Sequence, residues 1–316
     1  MIFNLAVQAF QMMLVLALAP LLTGFVRKVK AWLLRRQGPP LIQPYRDLVR
    51  LMRKEVVLAN NASWLFRAIP YLIFAATWVA AALVPTFGTG LMFSWSADLI
   101  VIIALLGLAR FFLALAGLDV GTSFGGIGSS REVMIASLAE PAMLMIVFTL
   151  ALIAGSTQLS TIAGIMLAPG MGLRVSLGMA LIALIIVAIA ENGRVPVDNP
   201  ATHLELTMVH EAMVLEYSGR HLALIELASA IKLLLYASLI ACVFVPWGLA
   251  PAGAPLHVHL IGAVAYIAKL GIAGVLLAVF ETMVAKMRVF RVPAFLGAAL
   301  MLGFLATLLR FVSRGL

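Results

Sequence analysis

Charge is scarce in this chain. Only 11% of its 316 residues are Asp, Glu, Lys or Arg, against about a quarter in soluble domains, and the mean hydropathy is +1.11. That composition excludes a water-soluble enzyme and points to a polytopic membrane protein. A net charge of +9 does not bring nucleic acid back as a partner. The basic residues gather in short segments between apolar runs, which is the pattern that orients membrane proteins. Cysteine is almost absent as well. Cys242 stands alone inside an apolar run, which excludes an intrachain disulfide framework and a cysteine metal cluster. The first apolar run lacks a basic segment ahead of it, so it reads as a retained spanning helix and not as a cleaved leader. HExxH spacing, a dinucleotide fingerprint and an internal repeat are all missing.

What is present is a series of apolar runs long enough to cross about 30 Å of hydrocarbon. They lie near 3–25, 69–87, 99–118, 133–155, 173–190, 222–246, 260–280 and 294–312. The expected fold is therefore an all-α integral membrane protein with about eight transmembrane helices. It forms a single polytopic domain over 1–316, with cytoplasmic connections at 27–68, 119–131, 191–220 and 283–293. Charge alternates sharply between connections. Residues 27–67 hold ten Lys or Arg, whereas 88–96, 156–172 and 247–259 hold none. This asymmetry places both termini outside and the acidic connection in the cytoplasm, with a bacterial inner membrane as the expected location.

Five of the thirteen carboxylates, Glu191, Asp198, Glu205, Glu211 and Glu216, fall in the stretch 190–220 directly after an apolar run. An ionisable group at membrane depth needs a partner, water or a shifted pKa, so it marks a functional site. Pro196 and Pro200 forbid one continuous helix. The segment reads as broken and lining a wet cavity, with a solvated acidic loop as the bland alternative. More charges lie inside or at the ends of spans: Arg110, Asp119, Glu140 beside Pro141, Glu226, Lys232, Lys269 and Glu281. Arg110 and Asp119 are candidates to pair with each other. A mid-span Lys is either a proton carrier or the counter-ion of a Glu. His203 and His210 lie beside Glu205 and Glu211, but their spacing favours hydrogen bonding over a metal. The glycines at 121, 125, 126 and 128 suggest a close-approach loop, with a helix starting near Arg131 and capped by Ser129 or Ser130. In the first basic connection, Gly38, Pro39, Pro40 and Pro44 form a stiff turn. Beyond it Tyr45, Leu48, Val49 and Leu51 alternate with Arg46, Arg50, Arg53 and Lys54, as in an amphipathic surface helix that meets anionic lipid or a peripheral protein.

These motifs carry a family resemblance over essentially the whole chain. Ala190-Glu191, Arg194, Pro196, Asp198, Glu205-Leu206 and Glu216-Tyr217-Ser218 resemble the cytoplasmic acidic loop of complex I subunit 1. The RxGP at Arg36 with QPYRDLVRL after it, and Arg131 nine residues before Glu140, are similar to the same superfamily. GLDVGTSFGGIGSSRE, EYSG, Lys232 and Glu281 resemble its branch of formate hydrogenlyase subunit 4 and hydrogenase-4 component C, the membrane anchors of NiFe hydrogenases. The resemblance implies a subunit with no redox centre of its own, under large and small hydrogenase-like subunits that hold a Ni-Fe site and iron-sulfur clusters, and beside antiporter-like membrane subunits. It further implies a proton-coupling set of Glu140, Glu191, Asp198, Glu205, Glu211, Glu216, Glu226 and Lys232. Arg131, Arg194, Arg110 and Asp119 would be charge partners, and Arg36, Gly38, Pro39, Arg46, Arg50 and Arg53 would form the docking surface. Amide variants of Glu191 or Glu140 are expected to assemble but to lose coupling. Two departures are visible: three extra residues between Glu205 and Glu216, and a short turn between Pro39 and Pro44. The latter weakens the alternative of a quinone-binding subunit of a complex I-like enzyme. A stand-alone ion transporter is the third reading.

Overall fold

The computed structural model describes residues 2–168, 174–198, 209–287 and 291–315, and every named element among them is a helix. The elements are α1 (Ile2–Leu33), α2 (Gln43–Met52), α3 (Trp64–Leu83), α4 (Leu99–Asp119), α5 (Ser123–Ala154), α6 (Leu159–Met166), α7 (Val175–Glu191), α8 (His210–Val214), α9 (Gly219–Phe244), α10 (Leu256–Met283) and α11 (Val292–Gly315). Seven of these are long and apolar enough to cross a membrane, and α7 is a shorter apolar helix. Together they match the eight apolar runs of the sequence.

The spanning helices run alternately up and down, so the bundle has two chemically distinct ends. One end gathers the C-terminus of α1, all of α2, the turn after α7, and α8. At the other end the connections pair with each other through backbone bonds: Thr89 N–H to the Ala250 carbonyl at 2.8 Å, Ala250 N–H to the Phe87 carbonyl at 2.9 Å, and Leu159 N–H to the Ala97 carbonyl at 3.0 Å. Exposed tryptophans ring both ends, Trp32 and Trp64 at the first, Trp95 and Trp247 at the second, where amphipathic rings favour a headgroup layer. Arg174, which the apolar pattern places inside a span, sits at the N-cap of α7 at the second end. The charge asymmetry is therefore strong without being absolute.

Small residues set how closely the helices approach. Gly125 and Gly117 are backbone to backbone: a Cβ at Gly125 would lie 2.1 Å from the Gly117 carbonyl oxygen. This contact explains why α5 begins at Ser123, with Thr122 accepting from Gly125 N–H at 3.2 Å as its cap, and not near Arg131. The glycine-rich stretch is the first turns of a helix crossing α4, because glycine's missing side chain admits close packing that offsets its low helix propensity. The amphipathic α2 forms where its pattern places it. It is anchored by Tyr45, whose hydroxyl donates to the Ala17 carbonyl. Burial raises the pKa of Tyr45 above its ordinary value.

The two ends give an orientation test. Cys242 is buried, so labelling background is low. Under the charge rule, a membrane-impermeant thiol reagent on intact cells should reach an Ala252→Cys variant, exposed at the second end, and miss Asn60→Cys, exposed at the first. The reverse pattern would invert the topology.

Candidate functional site

The site begins at the end of α7. With 17 residues that helix is about 25 Å long, shorter than the hydrocarbon, so its last residue, Glu191, ends beneath the bilayer surface. The helix is stopped by paired bonds from Gly193 N–H to the Ala190 carbonyl at 3.1 Å and from Arg194 N–H to the Ile189 carbonyl at 3.0 Å, with Gly193 at φ 54°. That is the Schellman arrangement, and it needs a residue free of Cβ strain at Gly193. A carboxylate at a helix C-terminus is opposed by the helix dipole and by desolvation. Two cations offset both. Arg110 of α4 contacts one Glu191 oxygen, and the Lys232 ammonium of α9 lies 3.0 Å from the other. Arg110 in turn stands 3.1 Å from Glu132 of α5. The result is a buried cluster of two carboxylates and two cations drawn from four helices.

Toward the first end the chain turns back through Asp198, which is buried. Its carboxylate accepts from Lys286 at 2.9 Å and from Val209 N–H at 3.2 Å. Beside it Glu281, at the foot of α10, accepts from Lys30 at 3.0 Å and from Arg194 at 3.3 Å. Burial pulls the Arg194 pKa below its ordinary value, and Glu281 opposes that shift.

Three cavities run through these groups. The largest, about 530 Å³, opens at the first end among Arg27, Arg36, Pro39, Glu211, Glu226 and Glu281. A second, about 60 Å³, is lined by Arg110, Glu132, Glu191 and Lys232, and shares Asn192, Gly193, Asp198, His210 and Ser229 with the first. A third, about 10 Å³, shares Leu106, Arg110 and Glu191 with the second and reaches Glu140. Polar groups thus follow one another from the basic end to mid-membrane, where Pro141 lacks the N–H that would bond the Ser137 carbonyl.

Of the expected residues, Glu140, Glu191, Asp198, Glu211, Glu226 and Lys232 line the three cavities. Glu205 and His203 lie outside the described residues. Glu216 is half-buried on the turn before α9 and lines none of the three cavities. Its neighbours Tyr217 and Ser218 hold the fold. Tyr217 stacks on Phe66 at 4.0 Å and donates to the Phe66 carbonyl at 3.0 Å, and the Ser218 hydroxyl donates to the Val57 carbonyl at 2.8 Å. Burial, with Asp119 adding, raises the Tyr217 pKa. Arg110 and Asp119 do not pair with each other. Asp119 accepts from Ser63 N–H at 2.9 Å, while Arg110 faces inward to the glutamates. Arg131 is half-exposed at the first end, and Lys269 donates to the Val245 carbonyl at 2.6 Å, far from the acidic groups. Among the described residues no three His, Cys, Asp or Glu side chains are grouped to hold a metal. Arg46, Arg50 and Arg53 are exposed on and after α2, Arg50 lying 3.2 Å from Asp47, and Arg36 and Pro39 lie at the rim of the large cavity.

The sequence pattern undervalues Glu132, Glu281, Lys30 and Lys286. A helix starting near Arg131 would leave Glu132 at its surface end. The start of α5 at Ser123 instead puts Glu132 about two and a half turns inside the helix.

The family model described as NADH dehydrogenase matches residues 5–312. The chain is 32% identical over 299 residues to formate hydrogenlyase subunit 4 of Escherichia coli K12, covering 94% of this chain and 95% of that one. It is 37% identical over 238 residues to hydrogenase-4 component C of the same organism, covering 75% and 74%. A chain of the membrane-bound sulfane sulfur reductase, an archaeal respiratory membrane complex, has the same fold with a TM-score of 0.81, 20% identity and coverage of 97% and 99%.

Proposed function

We propose, from the premise that this chain belongs to the NADH dehydrogenase family, that it is the membrane anchor and coupling subunit of a hydrogenase or formate hydrogenlyase type of complex. Two relatives that align along most of their length support the complex type. The observation that carries the coupling role is the run of three wall-sharing cavities, studded with carboxylates and cations, from the basic end to Glu140. Protons move along positioned acids and water when the groups exchange charge over hydrogen-bond distances, and crowded carboxylates titrate as a set. A redox change above the large cavity alters the field on Asp198 and Glu281, and the Glu191 cluster passes the change inward. The redox centres, a Ni-Fe site and iron-sulfur clusters, belong to partner subunits. Hydrogenase-like large and small subunits sit on the cytoplasmic face, and antiporter-like subunits sit alongside in the inner membrane. The quinone-binding and free-standing carrier readings are weaker, because identity is higher to the hydrogenase and hydrogenlyase subunits, at 37% and 32%, than to an NADH-ubiquinone oxidoreductase chain 1, at 29%.

The docking half of this reading has its own test. Charge reversal of Arg46, Arg50 and Arg53 to Glu places like charge against an acidic or lipid partner while leaving the buried face of α2 intact, so the tagged chain should insert normally and lose its soluble subunits in a pull-down. Loss of several rim charges typically weakens association by slowing encounter. Retention of those subunits by the triple variant would move the platform elsewhere.

A further inference from the structure

The smallest cavity holds a residue that the coupling set above does not use. Tyr236 on α9 lies one turn beyond Lys232, on the same face. It is buried and lines the 10 Å³ space together with Arg110, Glu140, Glu191 and Gly107. Several other buried hydroxyls in this bundle are satisfied: Ser238 and Tyr266 bond each other at 2.7 Å, Tyr217 bonds the Phe66 carbonyl, and Thr149 bonds Thr307 at 2.8 Å. No hydrogen bond joins the Tyr236 hydroxyl to the described side chains or backbone, and the residue lines this space. The cavity is about the size that one water needs, and its walls offer more than the two polar partners such a water requires. A Cβ at Gly107 would lie 3.4 Å from Glu140 Oε1, in ordinary contact, and would take up part of this space.

We propose that Tyr236 and a single water beside Gly107 bridge the Glu191 cluster to Glu140, with the tyrosine hydroxyl as a proton-passing group. A proton that has reached Glu191 passes to the water as the water gives one to the Tyr236 oxygen and the tyrosine gives its own to a Glu140 carboxylate oxygen, so the water is restored as the proton moves. The tyrosine stays neutral throughout, and rotation of its hydroxyl resets the bridge. This inference rests on the coupling reading and names the group that closes its inner gap.

The test compares Tyr236→Phe, Gly107→Ala and Glu140→Gln in the assembled complex in vesicles, reading complex yield and protons taken up per electron transferred. Phenylalanine removes only an oxygen that no protein group binds, so yield should equal the parent while proton uptake per electron falls roughly tenfold or more. Alanine at 107 should do the same by displacing the water. Normal uptake in Tyr236→Phe or Gly107→Ala, with Glu140→Gln impaired, overturns this bridge and leaves the coupling role standing. Normal uptake in all three overturns the coupling role itself. A collapse in yield for Tyr236→Phe overturns the bridge too, because the hydroxyl would then be holding the fold.

Discussion

Glu191→Gln is expected to destabilise this subunit by about 3 kcal/mol and to sharply lower recovery of the complex, since removing one member of a buried charge group leaves its partners uncompensated. The sequence alone suggests that an amide here would spare assembly. The geometry argues otherwise. Glu191 neutralises both Arg110, whose side chain is 4% exposed, and Lys232, at 21%. Arg110 keeps Glu132, but Lys232 keeps no carboxylate within the cluster. Two further variants separate charge balance from packing. Glu191→Gln combined with Lys232→Met should recover part of the thermal stability in detergent, because both opposite charges leave together. Glu191→Gln that melts with the parent would show that the cluster is hydrated well enough to carry no stabilising role.

Glu140→Gln should behave in the opposite way. Glu140 is half-buried and has no ion pair among the described residues, so a neutral isostere removes no partner's counter-charge, and the complex should assemble at parental yield. Protonation is what the substitution abolishes. If the carboxylate is the inner terminus of the proton route, uptake in vesicles should drop by roughly a hundredfold, the scale of losing a positioned acid-base group. The same preparations should still reduce or oxidise a soluble artificial partner at their peripheral redox site. Parental uptake would end the relay role for this residue.

Much of this architecture is legible in the amino-acid order. Apolar runs locate the spans, because a helix that must satisfy its own backbone in lipid advertises itself by length. The surface helix shows in the alternation after Pro44. The acidic stretch and the in-span charges also show, since ionisable residues in lipid are too costly to be incidental. What stays hidden are the pairings. Arg110 and Glu191 are distant in sequence, and nothing in one chain says which buried acid meets which buried base. The start of α5 hides for a different reason: glycine lowers helix propensity locally, while the tertiary contact with Gly117 that compensates for it is invisible in sequence. Tyr236 looks like one more apolar position on α9, and it gains chemical meaning only with Gly107 and Glu140 across from it.

The short α7 has an electrical consequence. Because it ends at Glu191, beneath the bilayer surface, and cavities lead down to that depth from the basic end, the insulating layer here is thinner than the lipid around it. The membrane potential therefore falls mainly between Glu140 and the far face. On the proposed route, charge passed among Asp198, Glu281 and the Glu191 cluster would move through little of the voltage. On the same proposed route, the step that leaves Glu140 for the far face would cross most of it, at about 2.3 kcal/mol per elementary charge for each 100 mV.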